Sequence, residues 1–148
     1  MITINIANQT LIFQNKSYVI SSAANGVGEQ EGSFCTPLGK FKISEKIGQE
    51  LESNSVLEGR VFTNEIYTVA LAQQYPDRDW ILTRILWLDG TENHNTNTKS
   101  RYIYLHGSPN ETPMGIPGSK GCIRMRNKDI IELFDLVQIG EEVAIIAS

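Results

Sequence analysis

At 148 residues the chain has room for one domain, and a domain of that size buries about 68–70% of its unfolded surface without crosslinks. Its 41% hydrophobic and 20% charged residues suit a globular protein and exclude a disordered or fibrous one. Thirteen Lys and Arg against 17 Asp and Glu leave a net charge of −4, which excludes a general nucleic-acid binder, because phosphates demand a basic stripe.

The chain opens as a strand. Ile2, Ile4 and Ile6 alternate on one face, apolar stretches at 11–13 and 18–20 follow, and Asn8-Gln9 and Asn15-Lys16 lie between them as turns. That period of two predicts a three-strand meander. Met1 is not followed by a basic segment and an apolar run. The expected location is therefore cytoplasmic, or periplasmic or wall-side if a leader was removed. Polar residues interrupt every apolar stretch, so no membrane-spanning segment is expected.

Residues 22–39 are rich in Gly, Ser and Glu and predict a loop closed by Thr36-Pro37-Leu38-Gly39, after which 41–43 resumes a strand. Between Gly48 and Asp79 the periodicity is weak; loops, a short strand near Val61 and a helical turn near Ala70 are expected. Residues 81–88 read as a buried strand ended by an Asp89-Gly90 turn, 91–99 as a loop, and 101–105 as a strand that delivers His106-Gly107 at its end. Asn127 then predicts a helix cap, and Asp129 suits the positive end of the helix dipole. Ile130, Ile131, Phe134 and Val137 follow at helical spacing, Gly140 is the expected stop, and 143–146 is a last strand. The sum is a single mainly β domain over 1–148 with one helix in its C-terminal region.

Cys35 and Cys122 make no disulfide framework and are expected as free thiols. Chemistry concentrates in His106-Gly107-Ser108 and in the run from Gly115 through Ser119, Lys120, Gly121 and Cys122 to Arg124 and Met125. His106 and Cys122 lie sixteen positions apart, on either side of a loop rich in Gly and Pro. A thiol attacks as thiolate and needs a base or a positive neighbour; imidazole titrates near neutrality and suits that task. If 120–126 is extended, Lys120, Cys122, Arg124 and Arg126 share one face, with Ile123 and Met125 on the other. Three cations would lower the thiol pKa and attract carboxylates. Gly121 would admit substrate close to the backbone, and the N–H groups of Gly121 and Cys122 would cradle an oxyanion. The plainer alternatives make Cys122 a small buried apolar residue, His106 a turn residue, Lys120 and Arg126 a solvated edge, and Arg124 half of a buried ion pair. His94 has no second ligand at a metal spacing and reads as a solvated loop residue; Cys35 reads as structural.

This segment resembles the catalytic motif of the YkuD-type L,D-transpeptidase domain family, in which His-Gly or His-Ser precedes Ser-His-Gly-Cys-x-Arg/Asn by a similar interval. Gly32-Ser33-Phe34-Cys35-Thr36-Pro37-Leu38-Gly39-Lys40-Phe41 resembles the family's Thr-Pro-x-Gly-x-Phe signature. The stretches 84–90 and 101–107 resemble the strands that lead to its histidine, so the likeness spans nearly the whole chain. One position departs: Lys120 stands where the motif has a second His.

The resemblance implies a sandwich or barrel-like sheet with an active-site groove, acting on a peptidoglycan stem tetrapeptide or muropeptide without metal or cofactor. It implies that Cys122 attacks the L-centre carbonyl of the third-position diamino acid and expels D-alanine. His106 would move the proton, and the Gly107 carbonyl, or less readily Ser108, would hold the imidazole. Ser119, Lys120, Gly121 and Arg124 would contact substrate, and a carbapenem would acylate Cys122. A monomer is expected. With water as acceptor the enzyme is an L,D-carboxypeptidase; with an amine it is a wall-crosslinking transpeptidase. The lack of a visible export signal favours hydrolysis of soluble muropeptides. A non-catalytic binder of wall fragments, or a redox protein pairing Cys122 with Cys35, are the other readings.

Overall fold

The N-terminal meander forms as its alternation requires. In the computed structural model, which describes residues 1–148, β1 (Ile2–Asn5), β2 (Thr10–Phe13) and β3 (Lys16–Ser21) pair antiparallel in sequence. Ile2, Ile4, Leu11, Phe13, Tyr18 and Ile20 are buried. The second turn falls on Gln14-Asn15, one residue before the expected pair, with Gln14 at φ 56°.

The remaining elements are β4 (Gly39–Ile47), β5 (Ser55–Glu58), β6 (Val61–Ile66), α1 (Val69–Gln74), β7 (Ile81–Gly90), β8 (Tyr104–Ser108), β9 (Ile123–Arg126), α2 (Asn127–Leu136) and β10 (Glu142–Ile146). The strand near Val61 and the helical turn near Ala70 are present. β5 was not foreseen, because three of its four residues are buried in succession and show no alternation.

Three boundaries differ from the sequence reading. β7 runs through Asp89 and Gly90, because Lys42 and Phe41 of β4 pair with them and no tight turn forms there. β8 begins only at Tyr104 and continues through His106 and Gly107 to Ser108, so the histidine lies inside the strand instead of at its end. Residues 120–122 are bent, and β9 starts at Ile123.

The strands form one sheet in the order β4-β10-β1-β2-β3-β9-β8-β7, closed into an eight-stranded barrel-like ring by β4–β7 pairing. β5 and β6 extend as a hairpin from the start of β7. The β1–β10 and β8–β9 pairs are parallel. One cluster of 20 buried apolar residues fills this fold. Ile130, Leu133 and Phe134 of α2 belong to it, each contributing about 1.5–3 kcal/mol by leaving water, whereas Ile131 is half-buried.

Asn127 does not cap the helix. Arg126 occupies the N-cap without a side-chain bond, and the Asn127 amide turns inward, donating to Asn54 Oδ1 at 2.7 Å and accepting from Thr83 Oγ1 at 2.7 Å. α2 ends at Leu136, ahead of Gly140, whose φ of 95° belongs to the next turn. No helix is long and apolar enough to cross a membrane.

Candidate active site

The parallel β8–β9 pairing sets the centre of the site. His106 lies opposite Arg124, and Leu105 opposite Ile123. Side chains alternate along each strand, so Leu105, Ile123 and Met125 enter the core while Tyr104, His106, Cys122 and Arg124 line a groove of about 410 Å³. The far wall comes from the β5–β6 turn and the approach to β7, through Gly59, Arg60, Asp79 and Ile81. Phe34 and Tyr102 border it as well.

His106 is buried, and its Nδ1–H donates to the carbonyl of its own neighbour Gly107 at 2.6 Å. A carbonyl only accepts, so the proton sits on Nδ1 and Nε2 offers its lone pair. Ser108 is buried with its hydroxyl unpartnered and plays no part in holding the ring. Gly107 must be glycine for a packing reason: a Cβ there would collide with Asn127 Oδ1 and the Leu82 carbonyl. That contact lies at a bulge of β7 between Leu82 and Ile85, where Thr83 is held at φ 75°. A β-branched residue there is strained. Its hydroxyl compensates by donating to Asn127 and accepting the Asn54 N–H at 3.0 Å.

The Cys122 sulfur is held by main chain. Its S–H donates to the Tyr102 carbonyl at 3.3 Å, and the Tyr104 N–H donates to it at 3.3 Å. Tyr102 takes φ 59° to present that carbonyl. The loop 28–36 supports the turn before the sulfur. Thr36 Oγ1 donates to the Gly121 carbonyl at 2.9 Å, and Arg101 ties down the Cys35 carbonyl at 2.8 Å. This is the structural use of the Thr-Pro signature.

Burial decides the electrostatics. It pushes the Cys122 thiol up to about 12, because an anion loses its hydration there; the Tyr104 N–H and Arg124 oppose this, and Asp79 reinforces it. Burial likewise holds His106 below its ordinary 6.5, against the Gly107 hydrogen bond. Burial thus works against the thiolate that the flanking cations were expected to favour, raising the thiol and lowering the imidazole so that the neutral form of each is favoured. Counting cations along the strand overlooked both the burial and Asp79, whose Oδ1 lies 3.5 Å from Arg124 Nη2.

Several residues expected to contact substrate are otherwise engaged. The Ser119 hydroxyl donates to the Cys122 carbonyl at 2.5 Å and accepts the Gly121 N–H at 3.2 Å, so it locks the turn. Gly121 has φ 127°, and a Cβ there would press to 3.3 Å on the Cys35 carbonyl and Ile103; glycine serves the chain's own backbone here, and its N–H already meets Ser119. Arg124 lines the groove while also donating to the Gly118 carbonyl at 2.9 Å. Lys120 is exposed at the rim, and Arg126 lies outside the groove lining. Cys35 donates weakly to backbone carbonyls, and His94 rests on the Leu38 carbonyl at 3.0 Å in an exposed loop.

Asp79, Arg60, Tyr102 and Tyr104 were missed from sequence. The Tyr102-x-Tyr104-x-His106 alternation was the available signal for the two tyrosines.

A family model for YkuD, the L,D-transpeptidase catalytic domain, matches residues 1–145. YkuD of Bacillus subtilis strain 168 is 51% identical over 41 residues, 28% of this chain and 25% of that protein. Among solved structures, the L,D-transpeptidase of Xylanimonas cellulosilytica superposes with a TM-score of 0.56 at 18% identity, covering 98% of this chain and 59% of the other. L,D-transpeptidase 3 of Mycobacterium tuberculosis, in complex with a faropenem-derived adduct, gives 0.57 at 16% identity, covering 97% and 58%. The chain thus spans under two thirds of the length of these relatives, and the structural likeness speaks for the fold. With the family model covering nearly every residue, the chain belongs to the L,D-transpeptidase catalytic domain family.

Proposed function

We propose that the domain catalyses acyl transfer on peptidoglycan stem peptides through Cys122. The observation that carries this reading is the pairing, in one groove, of a thiol with a buried imidazole whose Nδ1–H is fixed on Gly107. As the donor peptide enters, His106 Nε2 takes the thiol proton while sulfur bonds to the carbonyl carbon of the third residue's L-centre. The Cys122 N–H, beside the sulfur, faces the developing oxyanion. His106 returns the proton to the leaving amine as the C–N bond breaks, releasing D-alanine and leaving a thioester. Water or an amine then attacks the thioester, gives its proton to His106, and regenerates the thiol. Starting from a neutral pair suits this sequence: the proton moves only when substrate excludes water and the carbonyl accepts the electron pair.

The test is incubation with a disaccharide-tetrapeptide, with and without an amine acceptor, followed by product masses. Loss of alanine alone means hydrolysis, and a crosslinked dimer means transpeptidation. An unchanged tetrapeptide in both arms contradicts the proposal. A carbapenem should also add once to Cys122, because its strained lactam offers an acyl carbon to the same sulfur.

A further inference from the structure

The groove holds an arginine that acyl transfer leaves without a task and that no carboxylate of the chain neutralises. Arg60 follows Gly59 in the turn between β5 and β6, with φ 66°. Its guanidinium lies 4.8 Å from the Trp87 ring centroid and 5.0 Å from that of Tyr102, and donates to the Tyr104 hydroxyl at 3.1 Å. The two cation–π contacts and the hydrogen bond hold the guanidinium over the aromatic rings, so less side-chain freedom remains to be lost on binding a ligand. A guanidinium has five N–H donors and no acceptor, and this hydrogen bond uses one of them.

No carboxylate of the chain pairs with Arg60. Glu45, the acid whose charge reaches it, is tied to Lys99 at 3.0 Å. Asp79, the acid in the groove lining, faces Arg124. The groove therefore presents Arg60, Lys120 and Arg124 against Asp79 alone, inside a chain whose net charge is −4. Such a local excess of positive charge calls for an anionic ligand, and a planar fork with free donors matches a carboxylate.

We infer that Arg60 is a specificity-determining residue that clamps a free carboxylate of the acyl-donor peptide next to the carbonyl attacked by Cys122. This rests on the acyl-transfer reading. In a stem tetrapeptide whose third residue is a diamino diacid, two carboxylates flank the scissile bond: that on the side chain of the third residue, and the C-terminal one that leaves with D-alanine. The test compares kcat/KM for the tetrapeptide with both free, with the side-chain carboxylate amidated, and with the C-terminal carboxylate amidated. Wild type, Arg60→Gln and Arg60→Lys are measured, with circular dichroism to confirm folding.

One amidation should cost wild type roughly 10- to 100-fold, as loss of a charge-assisted hydrogen bond does. Arg60→Gln should lose a similar factor on the free peptide, mainly in KM, and little on that amide. Arg60→Lys should recover part of the loss. An equal drop on all three peptides, or discrimination that survives in Arg60→Gln, overturns the proposal and leaves Arg60 as a prop for Trp87 and Tyr102.

A second arm does not depend on turnover. Cys122 is alkylated with iodoacetate and with iodoacetamide, and its peptide is followed by mass. The iodoacetate-to-iodoacetamide rate ratio should fall several-fold in Arg60→Gln and less in Arg60→Lys. An unchanged ratio contradicts a carboxylate clamp. If wild type processes none of the three peptides, the acyl-transfer reading fails while this ratio still decides on Arg60.

Discussion

The two walls of the groove are built on opposite principles. The β8–β9 wall is held by a parallel ladder, is largely buried, and carries a thiol and an imidazole whose neutral forms burial favours. The opposite wall comes from the β5–β6 turn and the chain entering β7, is partly exposed, and carries Arg60 and Asp79. The difference separates tasks. Proton transfer needs fixed distances and a dry setting, which ladders and burial supply. Recognition of a charged peptide needs accessible charge, which partly exposed turns supply.

If that division holds, the largest effects lie on the buried wall. Cys122→Ala should abolish D-alanine release with the fold intact, while Cys35→Ala keeps most activity; measurable turnover by folded Cys122→Ala breaks the assignment. His106→Ala should lose about 10²–10⁴-fold in rate, as removal of a general base does, with His94→Ala silent. Because burial holds His106 below 6.5, the acid limb of kcat/KM should fall below pH 6.5, where the ring charges and Nε2 no longer accepts. A limb centred above 6.5 would show that the ring is stabilised as a cation.

Asn127→Ala sharpens the comparison at the next level. It takes away the acceptor of the Thr83 hydroxyl and the donor to Asn54 Oδ1, at a cost of about 1–3 kcal/mol. It should also slacken the Gly107 carbonyl that fixes the imidazole. A denaturant midpoint and kcat measured together check this, and a loss of stability with unchanged kcat would confine Asn127 to packing.

The smallest effects belong to the Arg124–Asp79 pair that spans the two walls. Arg124 lowers the Cys122 pKa and Asp79 raises it, so Arg124→Ala should slow alkylation at pH 8 and Asp79→Asn should speed it. Each change should be a few-fold and should shrink as salt screens these half-exposed charges. Equal shifts in one direction would show that the substitutions act through the fold and not through charge.

The same contrast explains what could be read from the sequence. The meander follows from alternation, the His106–Cys122 pair from a local motif and the Gly107 role from the family resemblance, and the folded chain keeps those neighbours together. Asp79 and Arg60 come from a stretch with almost no periodicity, and only the closing of β5 and β7 around the groove brings them to the sulfur. The thiol pKa was misjudged because neighbours along a strand give charge without burial. Ser119 and Gly121 looked available for substrate because their local hydrogen bonds depend on a bend at 120–122 that an extended strand would lack.

The central claim is that Cys122 carries the acyl group. It is tested most directly by mixing the protein with disaccharide-tetrapeptide, quenching in acid during turnover, and weighing the intact chain. The account predicts one adduct with the mass of the disaccharide-tripeptide acyl group, mapped to Cys122 and absent from Cys122→Ala. Turnover without any adduct in wild type, or an adduct that persists in Cys122→Ala, would contradict it.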